Sequence, residues 1–248
     1  MPRRNRSKSS TGIYHIIARG NNKNWIFKED QDKGKLYSII KEVKETHPFK
    51  LYAYCIMNNH YHLMVKEEDF LLNDFMKVIN QRYAAYFNKN KDVIGHVFQD
   101  RYRSEAVEDN VYFLGLIRYI HLNPVKANIV EDPYQYKWCS YKEYFYETPL
   151  MVDSNFVKNN ICYDRDNFRK NFISLHRGDD ENIYIDTEET TEERKGIIAE
   201  RIFNNFNGVN SESVKLLKEK TGMSYRDIAK FGNISIGKVQ KYLANSQV

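Results

Sequence analysis

The chain has 248 residues, 42% of them hydrophobic, and a formal net charge of +5 at pH 7. That length supports one large domain or two smaller ones with a proper core. No run approaches about 18 apolar residues, so no membrane-spanning helix is expected, and the basic start Met1-Pro-Arg-Arg-Asn-Arg-Ser-Lys8 lacks the apolar segment of a signal peptide. Cys55, Cys139 and Cys162 stand isolated, without metal-ligand spacing, which fits a reducing, cytoplasmic setting and argues against a disulfide scaffold. Between Asp179 and Glu193 there are eight carboxylates and no Lys or Arg, so the remainder of the chain carries +13. A basic body suggests a polyanionic partner, nucleic acid first; neither a membrane nor a small-molecule cofactor is expected. On charge alone, a merely soluble basic protein is the alternative.

Taken in order, residues 1–10 are a polar, basic tail. Gly12 to Arg19 is rich in β-formers and reads as a first strand, and Gly20-Asn21-Asn22 as a turn. Asp30 or Asp32 can cap a helix to about Thr46, with Leu36, Ile39, Ile40 and Val43 on its buried stripe, and Pro48 stops it. Phe49 to Met57 is a second strand. Asn58-Asn59 offers a tight turn, and His60 to Val65 a third strand. Alternation puts His60, His62 and Met64 on one face and Tyr61, Leu63 and Val65 on the other, the core face. Two imidazoles two residues apart on one face can reach a common metal ion, although a lone His-x-His is a weak signal.

A helix from about Asp69 to Asn88 follows, lined by Phe75, Ile79 and Tyr83 and decorated by Lys77 and Arg82. Val97 to Val107 reads as extended. There Arg101 and Arg103 fall on one side and form either a phosphate clamp or a paired surface ladder. Asp109 caps a strongly apolar helix from Val111 to about Leu122, which Pro124 is expected to end. Residues 133–146 are aromatic-rich and read as a loop with a short helix capped by Ser140. The order β-α-β-β-α-β then α predicts an α+β, ferredoxin-like sandwich: an antiparallel sheet with helices on one face and the other face free for a ligand.

In the apolar helix, Tyr112, Leu116, Tyr119 and Asn123 recur at helical spacing and share a stripe. A phenol and an amide one turn apart could serve as nucleophile and metal ligand, yet Tyr119 is one tyrosine of 19 and a core role is the simpler reading of that residue alone. His121, two residues on, faces elsewhere and reads as structural.

Four blocks now stand in sequence: Gly12-Ile-Tyr-His-Ile-Ile-Ala-Arg-Gly-Asn21; Met57-Asn-Asn-His-Tyr-His-Leu-Met-Val65; Phe98-Gln-Asp-Arg-Tyr-Arg-Ser104; and Arg118-Tyr-Ile-His-Leu-Asn-Pro-Val125. Together they resemble the Y1 tyrosine (HUH) transposases, the IS200-like single-strand DNA transposases, and among them the REP-associated tyrosine transposases. The resemblance spans about residues 10–147. It implies the same sandwich, with His60 and His62 as metal ligands, Tyr119 as nucleophile and Asn123 as a third ligand to Mg²⁺ or Mn²⁺. Tyr61 stands where the family carries an aliphatic residue. The implied reaction is attack of Tyr119 on single-stranded, hairpin-containing DNA, giving a 5′-phosphotyrosine and a free 3′-OH. Arg19, Arg82, Arg101 and Arg103 are the expected DNA contacts of this domain. Whether the site is completed in one chain or across a homodimer stays open.

Residues 148–190 read as one or two small helices and an acidic linker. Residues 191–248 read as a helical DNA-binding domain, in which Ser224 to Leu243 resembles a helix-turn-helix. Ile228 and Ala229 pack inside its first helix, Gly232 turns with a positive φ, and Ser235, Lys238, Gln240 and Lys241 are left to meet DNA. The expectation is thus a cytoplasmic, nucleoid-associated enzyme that nicks and rejoins DNA strands. A catalytically silent nucleic-acid-binding regulator is the main alternative, and a small-phosphoester metal hydrolase a weaker one.

Overall fold

A computed structural model describes residues 8–161, 165–178, 184 and 191–244. Two compact units are present, Met1–Tyr184 and Ile185–Val248. The first holds β1 (Ile13–Arg19), α1 (Asp30–Thr46), β2 (Phe49–Ile56), β3 (His60–Glu67), α2 (Leu72–Lys91) and β4 (Arg103–Ala106). The strands form one antiparallel sheet in the order β2-β3-β1-β4, the ferredoxin-like arrangement. α1 and α2 pack on one face, where Phe49 stacks on Phe75 at 4.3 Å and Tyr61 meets Phe27 edge-on at 6.0 Å.

Pairing decides which side chains share a face. Residues directly opposed across an antiparallel pair project to the same side. Arg19 lies opposite His60, Ile17 opposite His62 and His15 opposite Met64. On the other edge of β1, Ile17 lies opposite Arg103 and His15 opposite Glu105. One face therefore carries His15, Arg19, His60, His62, Arg103 and Glu105. Tyr14, Ile16, Tyr61 and Leu63 fill the other.

That first face is not left free. α3 (Asn110–Lys126) lies across β2 and β3 on that side, and α4 (Ser154–Ile161) and α5 (Arg165–Arg177) pack onto α3. The free face expected from the element order is thus a helix-covered one. The cause is α3's composition: Phe113, Leu116, Ile117 and Ile120 are all buried, and a helix apolar nearly all round needs cover on both sides. Pro124 does not end α3 either. It removes one backbone donor within the last turn, where Ala127 N–H still donates to Asn123 O and Ile129 N–H to Pro124 O. Asp109 caps α3 as expected, its Oδ1 accepting from Tyr112 N–H at 2.7 Å. The cap of α1 is Glu29 rather than Asp30 or Asp32, and Asp32 accepts from the Glu29 N–H. β4 is shorter than the extended stretch predicted. Residues 97–99 instead continue the end of β1, through Asn21 N–H to Val97 O and Gln99 N–H to Arg19 O, and the chain bends before Arg103.

In the second unit α6 (Thr191–Asn205), α7 (Ser211–Thr221), α8 (Tyr225–Phe231) and α9 (Ile236–Ala244) enclose a core that includes Ala199, Val214, Leu217, Met223, Ile228 and Val239. Ser224 and Asp227 form a capping box at α8. The α8–α9 turn takes its positive φ at Asn233, not at Gly232. Gly232 serves close approach: a Cβ there would lie 3.1 Å from Ile228 O and 3.2 Å from Val209 Cγ1. The buried Cys55 and Cys139 are unoxidised and meet at an isolated antiparallel bridge beside β2. Cys162, residues 1–7 of the basic tail, and the acidic stretch from Asp179 to Thr190 apart from Tyr184 lie outside the described residues.

His121 holds the first unit's back layer together. It is fully buried, and its Nε2 bonds Ser140 Oγ at 2.8 Å while its Nδ1 bonds His176 Nε2 at 2.9 Å. Ser140 is therefore a core bridge rather than a helix cap. Burial, then the neighbouring His176, hold the His121 pKa well below the usual histidine range, and burial pushes His176 down to about 4. Both are neutral in the fold at pH 7, whereas an unfolded chain titrates them near 6.5. Stability is thus full above about pH 6.5 and is lost as the pH falls toward 4. Between pH 7 and 5 the first unit should lose about 2 kcal/mol through His176 alone, read from urea midpoints followed by near-UV dichroism. His176→Gln should flatten that slope.

Candidate active site

β3 delivers the two histidines and α3 delivers the tyrosine. The His60 and His62 rings lie 4.9 Å apart, nearly perpendicular, and Tyr119 presents its ring edge-on to His62 at 5.6 Å. All three come from one chain. His62 is fully buried, and His60 and Tyr119 are 8% and 7% exposed. Asn123, one turn beyond Tyr119 on α3, is also buried; its Nδ2 donates to Tyr119 O at 2.9 Å, so its Oδ1 is the atom left to act as a ligand. Tyr61, between the histidines, faces α2: its hydroxyl donates to Asn80 Oδ1 at 2.6 Å, and burial pushes its phenol pKa far up, so it stays protonated.

Four neighbours of this cluster escape sequence reasoning. His15 on β1 is fully buried and lies edge to edge with His62, ring centroids 5.2 Å apart, bonding it Nε2 to Nδ1 at 3.0 Å; its ring also meets Tyr119 at 5.9 Å. Asn59, read only as a turn residue, places Oδ1 2.6 Å from His60 Nδ1. Lys126 holds its Nζ 4.4 Å from the centroid of the Tyr119 ring. Tyr184 packs on Tyr119 at 4.8 Å and on Tyr112 at 4.9 Å, while the Tyr112 hydroxyl donates to Glu105. The signal for His15 was its register: an odd position of β1 opposite the histidine face of β3.

The arginines separate into groups. Arg19 and Arg103 lie on the histidine face by register. Arg101 does not join Arg103 on a strand. It lines, with Lys77, Asn80 and Phe98, a cleft of about 690 Å³ between α2 and residues 96–102. Arg82 sits on the outer side of α2 and pairs with Glu42 of α1. In the second unit Ser235 spends its hydroxyl on the start of α9, accepting from Lys238 N–H at 3.2 Å, while Lys238, Gln240 and Lys241 are exposed.

The donor chemistry fits a hard or borderline divalent ion. Two imidazoles with an amide oxygen suit Mn²⁺, and Mg²⁺ to the extent that oxygen ligands complete its shell. Among the described residues no three His, Cys, Asp or Glu side chains form a metal-holding group. His60 and His62, with the amide oxygen of Asn123, could supply three ligands and keep positions open for substrate oxygens.

Residues 8–123 match the family model described as "Transposase IS200 like". A solved REP-associated tyrosine transposase, bound in its own structure to a REP hairpin, shares the fold: 18% identity, a TM-score of 0.51, 62% of this chain and 93% of that one. A transposase candidate from Deinococcus radiodurans R1 aligns at 16% identity and a TM-score of 0.35, over 52% of this chain and 92% of that one, a similarity too low to bear on the fold. No curated protein matches the chain. No helix among the described residues is long and apolar enough to cross a membrane.

The contacts of Tyr119 named above are made by its ring. Tyr119→Phe keeps those ring contacts and should fold, with a near-UV dichroism spectrum like the parent's and a cooperative urea transition.

Proposed function

We propose that this chain cleaves and rejoins single-stranded, hairpin-containing DNA, with Tyr119 as nucleophile and His60, His62 and Asn123 as the ligands of Mg²⁺ or Mn²⁺. The observation that carries the reading is the edge-on approach of Tyr119 to His62 at 5.6 Å within one chain. That approach supports a site completed without a second subunit.

The chain's own groups account for the chemistry as follows. The Tyr119 phenol loses its proton and its oxygen attacks phosphorus in line. A Tyr Oη–P bond forms, the P–O3′ bond breaks, and the departing 3′-oxygen takes up a proton. The strand is then held as a 5′-phosphotyrosine, and return of a 3′-OH reverses the step without external energy. Lys126 places a positive charge over the ring of the nucleophile. Arg19 and Arg103, on the histidine face, hold the phosphate backbone across the sheet. A bound divalent ion supplies Lewis-acid polarisation of the phosphate oxygens. The second unit supplies docking: Lys238 and Lys241 on α9, with Gln240, meet DNA, in keeping with the helix-turn-helix order of α8 and α9.

The test is incubation of end-labelled hairpin DNA with the protein and Mn²⁺, resolved on a denaturing gel. Wild type should yield a shortened strand and a protein-linked one. Tyr119→Phe should yield neither. His60→Ala and His62→Ala should lose cleavage while still retarding the hairpin on a native gel. Identical products from wild type and Tyr119→Phe would remove the nucleophile, and hairpin binding with no cleavage under any metal would make the chain a binding regulator. Lys238→Ala and Lys241→Ala should each weaken binding and reduce the slope of log K against log salt by about 1.

A further inference from the structure

Each candidate ligand has its distal ring nitrogen occupied. His60 Nδ1 lies 2.6 Å from Asn59 Oδ1, and His62 Nδ1 lies 3.0 Å from His15 Nε2. An amide oxygen only accepts, so His60 carries its proton on Nδ1 and presents the Nε2 lone pair. His15 creates the same condition for His62 only in one of its two forms, with its own proton on Nδ1 and a lone pair on Nε2.

We propose that His15 is a positioning residue for the metal site: it accepts the Nδ1 proton of His62 and so fixes both the tautomer and the ring plane in which His62 Nε2 serves as ligand. This rests on the reading of His60 and His62 as metal ligands. Three observations support it. His15 is fully buried on the functional face, directly beside β3, where an apolar residue would pack at least as well. Its ring is nearly parallel to that of His62, at 19°, which suits a nitrogen-to-nitrogen bond held in place. It also lies edge-on to Tyr119, so one side chain sets the ligand and abuts the nucleophile. A metal-bound imidazole needs such an acceptor on its other nitrogen, and removing one weakens metal affinity by about 10–100-fold.

The experiment uses the full chain, with Mn²⁺ alone as the probe. Manganese affinity is read by the loss of the free-ion EPR signal in wild type, His15→Phe, His15→Gln and the double variant His60→Ala/His62→Ala. His15→Phe keeps a ring of similar size but offers no acceptor, and its dissociation constant should rise about 10–100-fold. His15→Gln restores an acceptor oxygen and should recover most of the affinity. Equal affinity in wild type and His15→Phe, with binding abolished in the double variant, overturns the role of His15 and leaves the metal site standing. Equal binding in wild type and the double variant overturns both. A second measurement needs no substitution and no metal. In a long-range ¹H–¹⁵N correlation spectrum of the metal-free wild type, His62 should appear as the Nδ1–H tautomer and His15 should carry its proton on Nδ1. The Nε2–H tautomer at His62 overturns the proposal whatever the variants do.

Discussion

The register between β1 and β3 is the constraint on which the rest depends. Side chains alternate every residue along a strand, so a slip of one position would carry His60 and His62 into the α1–α2 core and turn Tyr61, Leu63 and Val65 toward α3. Each of those three side chains is fully buried as it stands. Moving a side chain of that size out of the core costs about 1.5–3 kcal/mol, so the apolar face of β3 locks the polar one. The Tyr61 hydroxyl adds direction to bulk through its bond to Asn80 on α2. The bulge of β2 at Tyr52 is absorbed before the histidines: beyond it Cys55 faces His62 and Ile56 faces Tyr61 in regular order.

Once that register is set, α3 has one way to complete the face. Its all-round apolar surface lets it lie between the sheet and the layer of α4 and α5, while Tyr119 turns toward His62. Pro124 would be expensive in the middle of a helix. In the last turn it costs one backbone bond, and the bonds on either side hold the helix to Lys126. The helix therefore extends far enough for Lys126 to reach back over the Tyr119 ring. On the far side of α3, His121 faces the opposite way and is tied to Ser140 and His176, which anchors the helix against rotation.

Much of this was legible before any coordinates. Alternation in His60 to Val65, the helical stripes of α1 and α2, the Asp109 cap and the α8–α9 pair all follow from local rules, and local rules do not depend on what the chain meets. What stayed hidden is non-local. His15 in isolation is one more residue of a β-rich run; it becomes informative only when Met64 is known to lie opposite it. Asn59 was read by its turn propensity, which is real, while its oxygen also orients His60. Arg101 and Arg103 have strand spacing, but the backbone of residues 97–99 binds the end of β1 and the chain bends between the two arginines, so spacing alone misplaced Arg101. At Gly232 the inference from conformational freedom failed because the demand there is steric: the backbone passes too close to Ile228 and Val209 for a side chain.

Covering a sheet face that bears three histidines and two arginines is unfavourable by itself, because buried polar groups must find partners. A sequence selected for stability alone would place apolar residues at 15, 60 and 62. Local rules broken in one small region, with the remainder consistent, mark that region as the one under functional demand. The partners at this face are specific: an amide oxygen for one imidazole, a third imidazole for the other, a helix backbone carbonyl for the Asn123 amide. Each uses the atom that a ligand role does not need. The same packing brings Tyr119 against His15, His62 and Tyr184 and leaves its ring only 7% exposed. Under the proposed function, a DNA strand that reaches the phenol exchanges ring contacts for contacts of its own. A stacked base or a phosphate bound by Lys126 offers contacts of matching kind, which a small phosphoester without a base cannot supply in full.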